Sequence, residues 1–274
     1  MSGKLLKAAR ALPISGKVGL ALVIFWIIIA LVGPLIAPHP PGAFVSMEVF
    51  AGSSTDFIFG SDFLGRDVLS RLLVGARFTM GLSLIAVTIA CVTGTGLALT
   101  AAVGPRWLDE LLARAMDTLI SIPSKIFALV LVAAFGSSLV LLTLIISVTY
   151  VAGNFRIARS LAVGVAQLDY VEVARARGEG RLYIALVEML PNIIRPLFAD
   201  IGLRFVFIVL LLSGLSFLGL GLQPPHADLG SLVRENVSGL GEGALAILIP
   251  ATAIASLTVG VNLLIDAATQ GKVR

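Results

Sequence analysis

Charge is what this chain has least of. Across 274 residues it carries 20 basic and 16 acidic side chains, 13% in all, against about 25% in an average soluble chain. With 58% hydrophobic residues and a mean hydropathy of +1.02, a soluble domain is excluded. Cysteine is almost as scarce. Cys91 stands alone in an apolar stretch, which excludes a disulfide framework and a cysteine-based metal site and leaves it as a small buried hydrophobe. The two histidines, His39 and His226, sit beside prolines in separate loops and read as neither ligand nor base. No G-x-x-x-x-G-K-[ST] loop occurs. Gly3-Lys4, Gly16-Lys17 and Gly271-Lys272 lack the upstream glycine and the following hydroxyl residue, so the chain does not bind ATP in the usual way. Nor is there a paired carboxylate, histidine cluster or nucleophile elbow to suggest catalysis. The net charge of +4 is no nucleic-acid signal, because the basic residues flank apolar runs instead of forming a stripe.

What is present is a series of uncharged windows long enough to cross a membrane. Residues 1–17 carry Lys4, Lys7, Arg10 and Lys17 without an acid, and 18–37 follow as an apolar run. A cleaved signal is disfavoured by the length of that run and by Pro38, so an uncleaved first helix with a cytoplasmic N-terminus is expected. Residues 38–77 form an extracytoplasmic segment whose end is expected to be a short helix along the membrane surface, with Asp67 as its N-cap. The second span is 78–103. The third is expected across 111–135, kinked at Pro123, with Asp117 and Lys125 on one face as a buried or interfacial pair. The fourth is 139–158. Arg195, Asp200 and Arg204 are expected at the cytoplasmic end of a fifth span that Pro224-Pro225 stops, and 244–265 is the sixth. The fold class is therefore an all-α integral membrane protein of six transmembrane helices. A five-helix core occupies 78–267, and a cytoplasmic tail, 268–274, carries Lys272 and Arg274.

One polar stretch interrupts this pattern. Between Asp169 and Pro191, Asp169, Glu172, Arg175, Arg177, Glu179, Arg181 and Glu188 arrive together. Helical spacing puts Asp169, Glu172, Arg175 and Glu179 on one face. Gly178 and Gly180 allow a turn, and a second apolar helix from Leu182 is expected to end at Leu190-Pro191. Such a knob suits a groove on another protein.

Glu172-Val173-Ala174, then Gly178, then Leu190-Pro191 resembles the E-A-A-x3-G-x9-I-x-L-P loop of ABC-importer permeases, with Val173 and Glu188 as departures. Two further strings resemble the dipeptide/oligopeptide/nickel class, C-type subunit. FGSDFLGRDVLSRLLVGAR (Phe59 to Arg77) is similar to its FGTDxLGRDVxSRLLxGAR segment. GLSFLGLGLQPPHADLG (Gly214 to Gly230) is similar to its GLSFLGLGxQPPxPxWG segment, with Leu229 in place of Trp.

The resemblance implies a type I ABC importer permease fold with a cytoplasmic coupling loop at 163–191. It implies a non-catalytic translocation subunit in a bacterial cell (inner) membrane, with both termini cytoplasmic. Expected partners are a sister permease, one or two ATPase subunits that bind the ATP and magnesium, an extracytoplasmic solute-binding protein, and lipid. Asp169, Tyr170, Glu172, Ala174, Arg175, Gly178, Leu190 and Pro191 are the expected ATPase-coupling residues. Gly60, Asp62, Gly65, Arg66, Asp67, Arg71, Gln223, Pro224, Pro225 and Gly230 are expected at binding-protein contacts or gates. The cargo implied is di- or oligopeptide, with nickel, glutathione or opine-like solutes open on the same scaffold. An ion-coupled secondary transporter, which would want ionisable groups near the midplane, and a membrane scaffold are the readings from other classes.

Overall fold

The computed structural model describes residues 12–55 and 57–270. The basic residues Lys4, Lys7, Arg10, Lys272 and Arg274 lie outside them. The described residues form no strand beyond one isolated bridge, and the chain is all-helical. In order come α1 (Ile14–Ile36), α2 (Val68–Val103), α3 (Arg106–Ser121), α4 (Ser124–Phe135), α5 (Leu139–Ala166), α6 (Asp169–Ala176), α7 (Arg181–Phe217), α8 (Leu229–Glu235), a 3₁₀ turn at Val237–Glu242 and α9 (Leu245–Gln270). Of these α1, α2, α5, α7 and α9 are long and apolar enough to cross a membrane; α3 and α4 together make a sixth crossing only as a bent pair.

Three sequence expectations change here. No separate surface helix precedes the second span: Asp67 caps α2 by accepting the Ser70 N–H, and the helix runs unbroken for 36 residues, about 54 Å at 1.5 Å per residue. It can stay helical past Arg71 because that charge is neutralised within the fold, as described below. The third span is not one kinked helix. Pro123 cannot donate a backbone hydrogen bond, and α3 and α4 meet at 87°. α4 alone has 12 residues, short of the roughly 20 a crossing needs. Asp117 and Lys125 are exposed on opposite sides of that bend and form no ion pair with each other. The third change concerns prolines. Pro191 does not end a helix, and Pro224-Pro225 does not stop α7. The stop is a Schellman turn at Gly219, where φ is +85°: Gly219 N–H bonds the Ser216 carbonyl and Leu220 N–H bonds the Leu215 carbonyl.

α7 survives Pro191 by widening. Over Ile184–Met189 the helix takes π geometry, and Leu190 N–H reaches back five residues to the Ala185 carbonyl. Proline removes a donor and its ring crowds the carbonyl four residues earlier. An extra residue in the turn just before it relieves both, a common use of π segments.

The apolar packing divides into two main clusters along the bundle. One joins Leu82, Val87, Val132, Leu142, Ile146, Ile208 and Leu212. The other joins Ala98, Phe155, Ala158, Ala162, Met189 and Ile193 with Val171 and Ala174 of α6. A third cluster, around Trp26, Leu72, Leu229 and Leu257, holds α1 and α9 against α2 and α8.

Candidate functional site: the α6 knob, the arginine clamp and the concavity between them

The knob is built as its sequence suggests, with two differences. Val171 and Ala174 are fully buried in the second cluster, so α6 is seated on α5 and α7. Ala174 is an anchor, sharing that cluster with Ala158 and Ala162 of α5. The remaining face points away from the chain. Tyr170 is 38% and Val173 57% exposed, and Asp169, Glu172, Arg175 and Arg177 surround them in the open. An apolar centre with a charged rim is the composition of a protein docking patch. The helix ends in a second Schellman turn. Gly178 has φ +83°, its N–H bonds the Arg175 carbonyl, and Glu179 N–H bonds the Ala174 carbonyl.

Glu179 therefore lies past the turn and not on the α6 face, correcting the four-residue stripe. Gly180 is no turn residue either, since its φ is −70°. Leu190 is half-buried against the second cluster, and Pro191 is exposed on α7. Glu188, a departure from the family pattern, faces Arg177 at 3.7 Å.

The 60–71 segment has the opposite character. Asp62 is 1% exposed and Arg71 6%. One Asp62 carboxylate oxygen accepts the backbone N–H groups of Leu64 and Arg66, each at 2.9 Å. The other accepts Arg66 Nε and an Arg71 guanidinium nitrogen, each at 2.7 Å. Glu235 of α8 completes the square, receiving Arg66 and Arg71 at 2.7 Å each. Two arginines and two carboxylates thus neutralise one another, and the clamp ties the 60–71 segment to α8.

Asp67 is buried as the α2 cap, Gly60 and Gly65 are buried at positive φ, and Gly230 packs against the α7 backbone. Gln223, Pro224 and Pro225 are exposed. Asp228 is buried as the α8 cap; burial pushes its carboxyl above the ordinary value, while hydrogen bonds from Ser216 and from the Ser231 backbone pull the other way.

Between the two apolar clusters lies a polar layer that the sequence reading missed. Asp200 and Arg204, expected at the cytoplasmic end of the fifth span, are buried inside the helical bundle. Each is 8% exposed, midway along α7. Arg204 Nε donates to Asp200 at 2.6 Å, Asn154 Nδ2 donates to the same oxygen at 2.9 Å, and Thr95 Oγ1 reaches Asn154 at 3.1 Å. Three helices are joined by one chain of hydrogen bonds. The i,i+4 spacing of Asp200 and Arg204 and the lone Asn154 in an apolar run were the available signals. Alongside this layer opens a concavity of about 1130 Å³ between α3, α4, α5 and α7, into which Arg204, Arg156 and Arg159 face. Arg159 is held by Asp109 of α3 in a two-bond pair of 2.5 and 2.6 Å. Among the described residues no group of histidine, cysteine and carboxylate side chains could hold a metal.

With a seated knob at one end and a clamped segment at the other, comparison with known proteins becomes informative. Residues 94–271 match the family described as the binding-protein-dependent transport system inner membrane component. The chain belongs to that family. It is a permease subunit of an ABC importer, a multi-pass inner-membrane component of a system that depends on a binding protein. The di/tripeptide transport system permease protein DppC of Pseudomonas aeruginosa is 30% identical over 90% of this chain and 84% of its own length. The dipeptide transport system permease protein DppC of Haemophilus influenzae is 29% identical over 91% and 86%. The glutathione transport system permease protein GsiD of Pectobacterium atrosepticum is 29% identical over 78% and 71%.

Proposed function

We propose that this permease imports di- or oligopeptides as one half of a heterodimeric pathway, and that α6 is the element through which a separate ATPase drives it. The observation that carries this reading is the α6 knob itself. Its inner face is locked into the bundle by Val171 and Ala174, and its outer face leaves Tyr170, Val173, Asp169, Glu172 and Arg175 exposed and without a salt bridge among the described residues. An element rigidly attached on one side and open on the other transmits a push.

ATP and magnesium bind on the partner. Closure of the ATPase pair moves two knobs, one from each permease, and turns the spans between inward-open and outward-facing states, a remote two-state element biasing the transport path. The concavity beside α5 and α7 is open along one side, which suits a path completed by a sister permease. Peptide cargo is favoured by the relatives whose names say dipeptide or di/tripeptide. Glutathione is the second reading, favoured by one relative's name and chemically close, being itself a peptide. The N- and C-termini and α6 lie in the cytoplasm in this reading, with 38–67 outside. Exposed Gln223, Pro224 and Pro225 then belong to the surface that meets the binding protein.

The test is uptake by the full importer reconstituted in proteoliposomes with its binding protein. Peptide should accumulate only with ATP, and the ATPase should co-purify with this chain. Uptake that persists after the ATPase is stripped away, or accumulation driven by an ion gradient alone, would overturn the reading. Orientation is checked separately by an impermeant thiol reagent, which should label Ser53→Cys but not Ala176→Cys in spheroplasts.

A further inference from the structure

The buried arginine of the polar layer is not accounted for by any of this. We propose that Arg204 forms a carboxylate-binding subsite on the transport path, taking the free α-carboxylate of a peptide; this rests on the concavity being part of that path. Four observations support it. Arg204 is held from behind: Asp200 binds its Nε, and Asp200 is itself fixed by Asn154 and Thr95. Asp200 does not line the concavity, whereas Arg204 does. The terminal nitrogens thus point forward, their one protein contact being a long 3.5 Å approach to the Tyr150 carbonyl. A planar fork with unspent donors, fixed in place and mostly out of water, is the arrangement that binds a carboxylate through two parallel bonds.

Space has been left for it. At position 153 an added Cβ would lie 2.7 Å from an Arg204 terminal nitrogen, so glycine there leaves room for the guanidinium to lie along α5 and face the opening. At the same wall Arg159 is paired with Asp109 and lies in the field of Asp117, and Arg156 is exposed without a salt bridge among the described residues. The rest of the lining near Arg204, Val148, Thr149 and Phe207, is uncharged and suits side chains of varied shape. An ionisable group held inside a membrane bundle and facing a cavity is a binding group by default.

The field and the guanidinium can be read without knowing the cargo. Thr149→Cys places a thiol in the concavity, and the chain's own Cys91 is buried. In the reconstituted full importer, the anionic ethylsulfonate and cationic trimethylammonium methanethiosulfonates are compared for their rates at that thiol. The ratio of anionic to cationic rate should fall about tenfold when Arg204→Gln is combined with Asp200→Asn. That double change leaves the net charge as it was and no carboxylate unpaired, so the drop reports the guanidinium and not the charge total. Arg204→Lys should keep most of the ratio, and trialanine should slow labelling of the parent more than trialanine amide does. An unchanged ratio in the double variant, or equal protection by acid and amide, overturns the subsite. If the parent imports peptides but shows no such difference, the subsite fails and the peptide reading stands. If the ratio falls and acid protects but no peptide is taken up, the subsite stands and the peptide reading fails.

Discussion

Two charged segments of this chain, the 60–71 stretch and α6, look alike in sequence and behave in opposite ways. Each mixes acids and arginines with glycines and a few apolar residues. In the 60–71 stretch the charges face one another. Asp62, Arg66, Arg71 and Glu235 form a four-cornered clamp with 2.7 Å contacts, and little is left for a partner. In α6 the charges face outward, and the apolar residues Val171 and Ala174 turn in. A charge cluster in a membrane protein is therefore either a staple or a docking surface. Burial and internal pairing decide which.

The largest effect should come from breaking the staple. Arg71→Ala leaves buried Asp62 and partly buried Glu235 beside a single arginine, and removing one member of a buried ion network costs about 3–5 kcal/mol. Solubilised protein should melt markedly earlier and accumulate poorly. Normal abundance and melting would mean that the clamp is not structural. Next is the seat of the knob. Ala174→Leu inserts three carbons at a fully buried position of the second cluster, and overpacking costs about 1–3 kcal/mol. The spans should assemble, but the ATPase should be lost on purification; firm retention would show that α6 need not be seated to couple.

Gly178→Val should be milder in stability. Nothing lies within 4 Å of the added Cβ, so the cost is the left-handed backbone alone, about 1–2 kcal/mol. Abundance should be normal and ATP-dependent uptake lost, and wild-type uptake would remove the turn from the coupling element. Smallest in stability is Glu172→Lys on the exposed face, within about 0.5 kcal/mol of the parent. Only ATPase affinity should change. Unaltered affinity in this variant would leave the rim without a role.

How much of this could be read from the residues differs by region for physical reasons. Apolar runs long enough to cross lipid are visible as such, and α1, α2, α5, α7 and α9 all coincide with them. The knob was legible because a glycine at positive φ and a Leu-Pro pair leave a local trace. The bend at Pro123 was signalled, but its 87° was not, since proline says that a helix is interrupted and not how far it turns. Pro191 misled for the complementary reason: a π segment can absorb a proline, and no local pattern announces one. The network around Asp200 and Arg204 was not legible from the residues alone. Their partners, Asn154 and through it Thr95, lie 46 residues and more away along the chain, beyond the reach of any spacing argument. The role of Ala174 likewise emerged only from its burial.

The claim that α6 presents its exposed face to the ATPase is tested most directly by photo-crosslinking in the assembled importer. A photoreactive residue replaces Tyr170, Glu172 or Val173 in turn, with fully exposed Met47 of the segment between α1 and α2 as the comparison. The account predicts adducts with the ATPase subunit from all three α6 positions and none from position 47. An importer that still transports, yet gives no ATPase adduct from any α6 position, would contradict it.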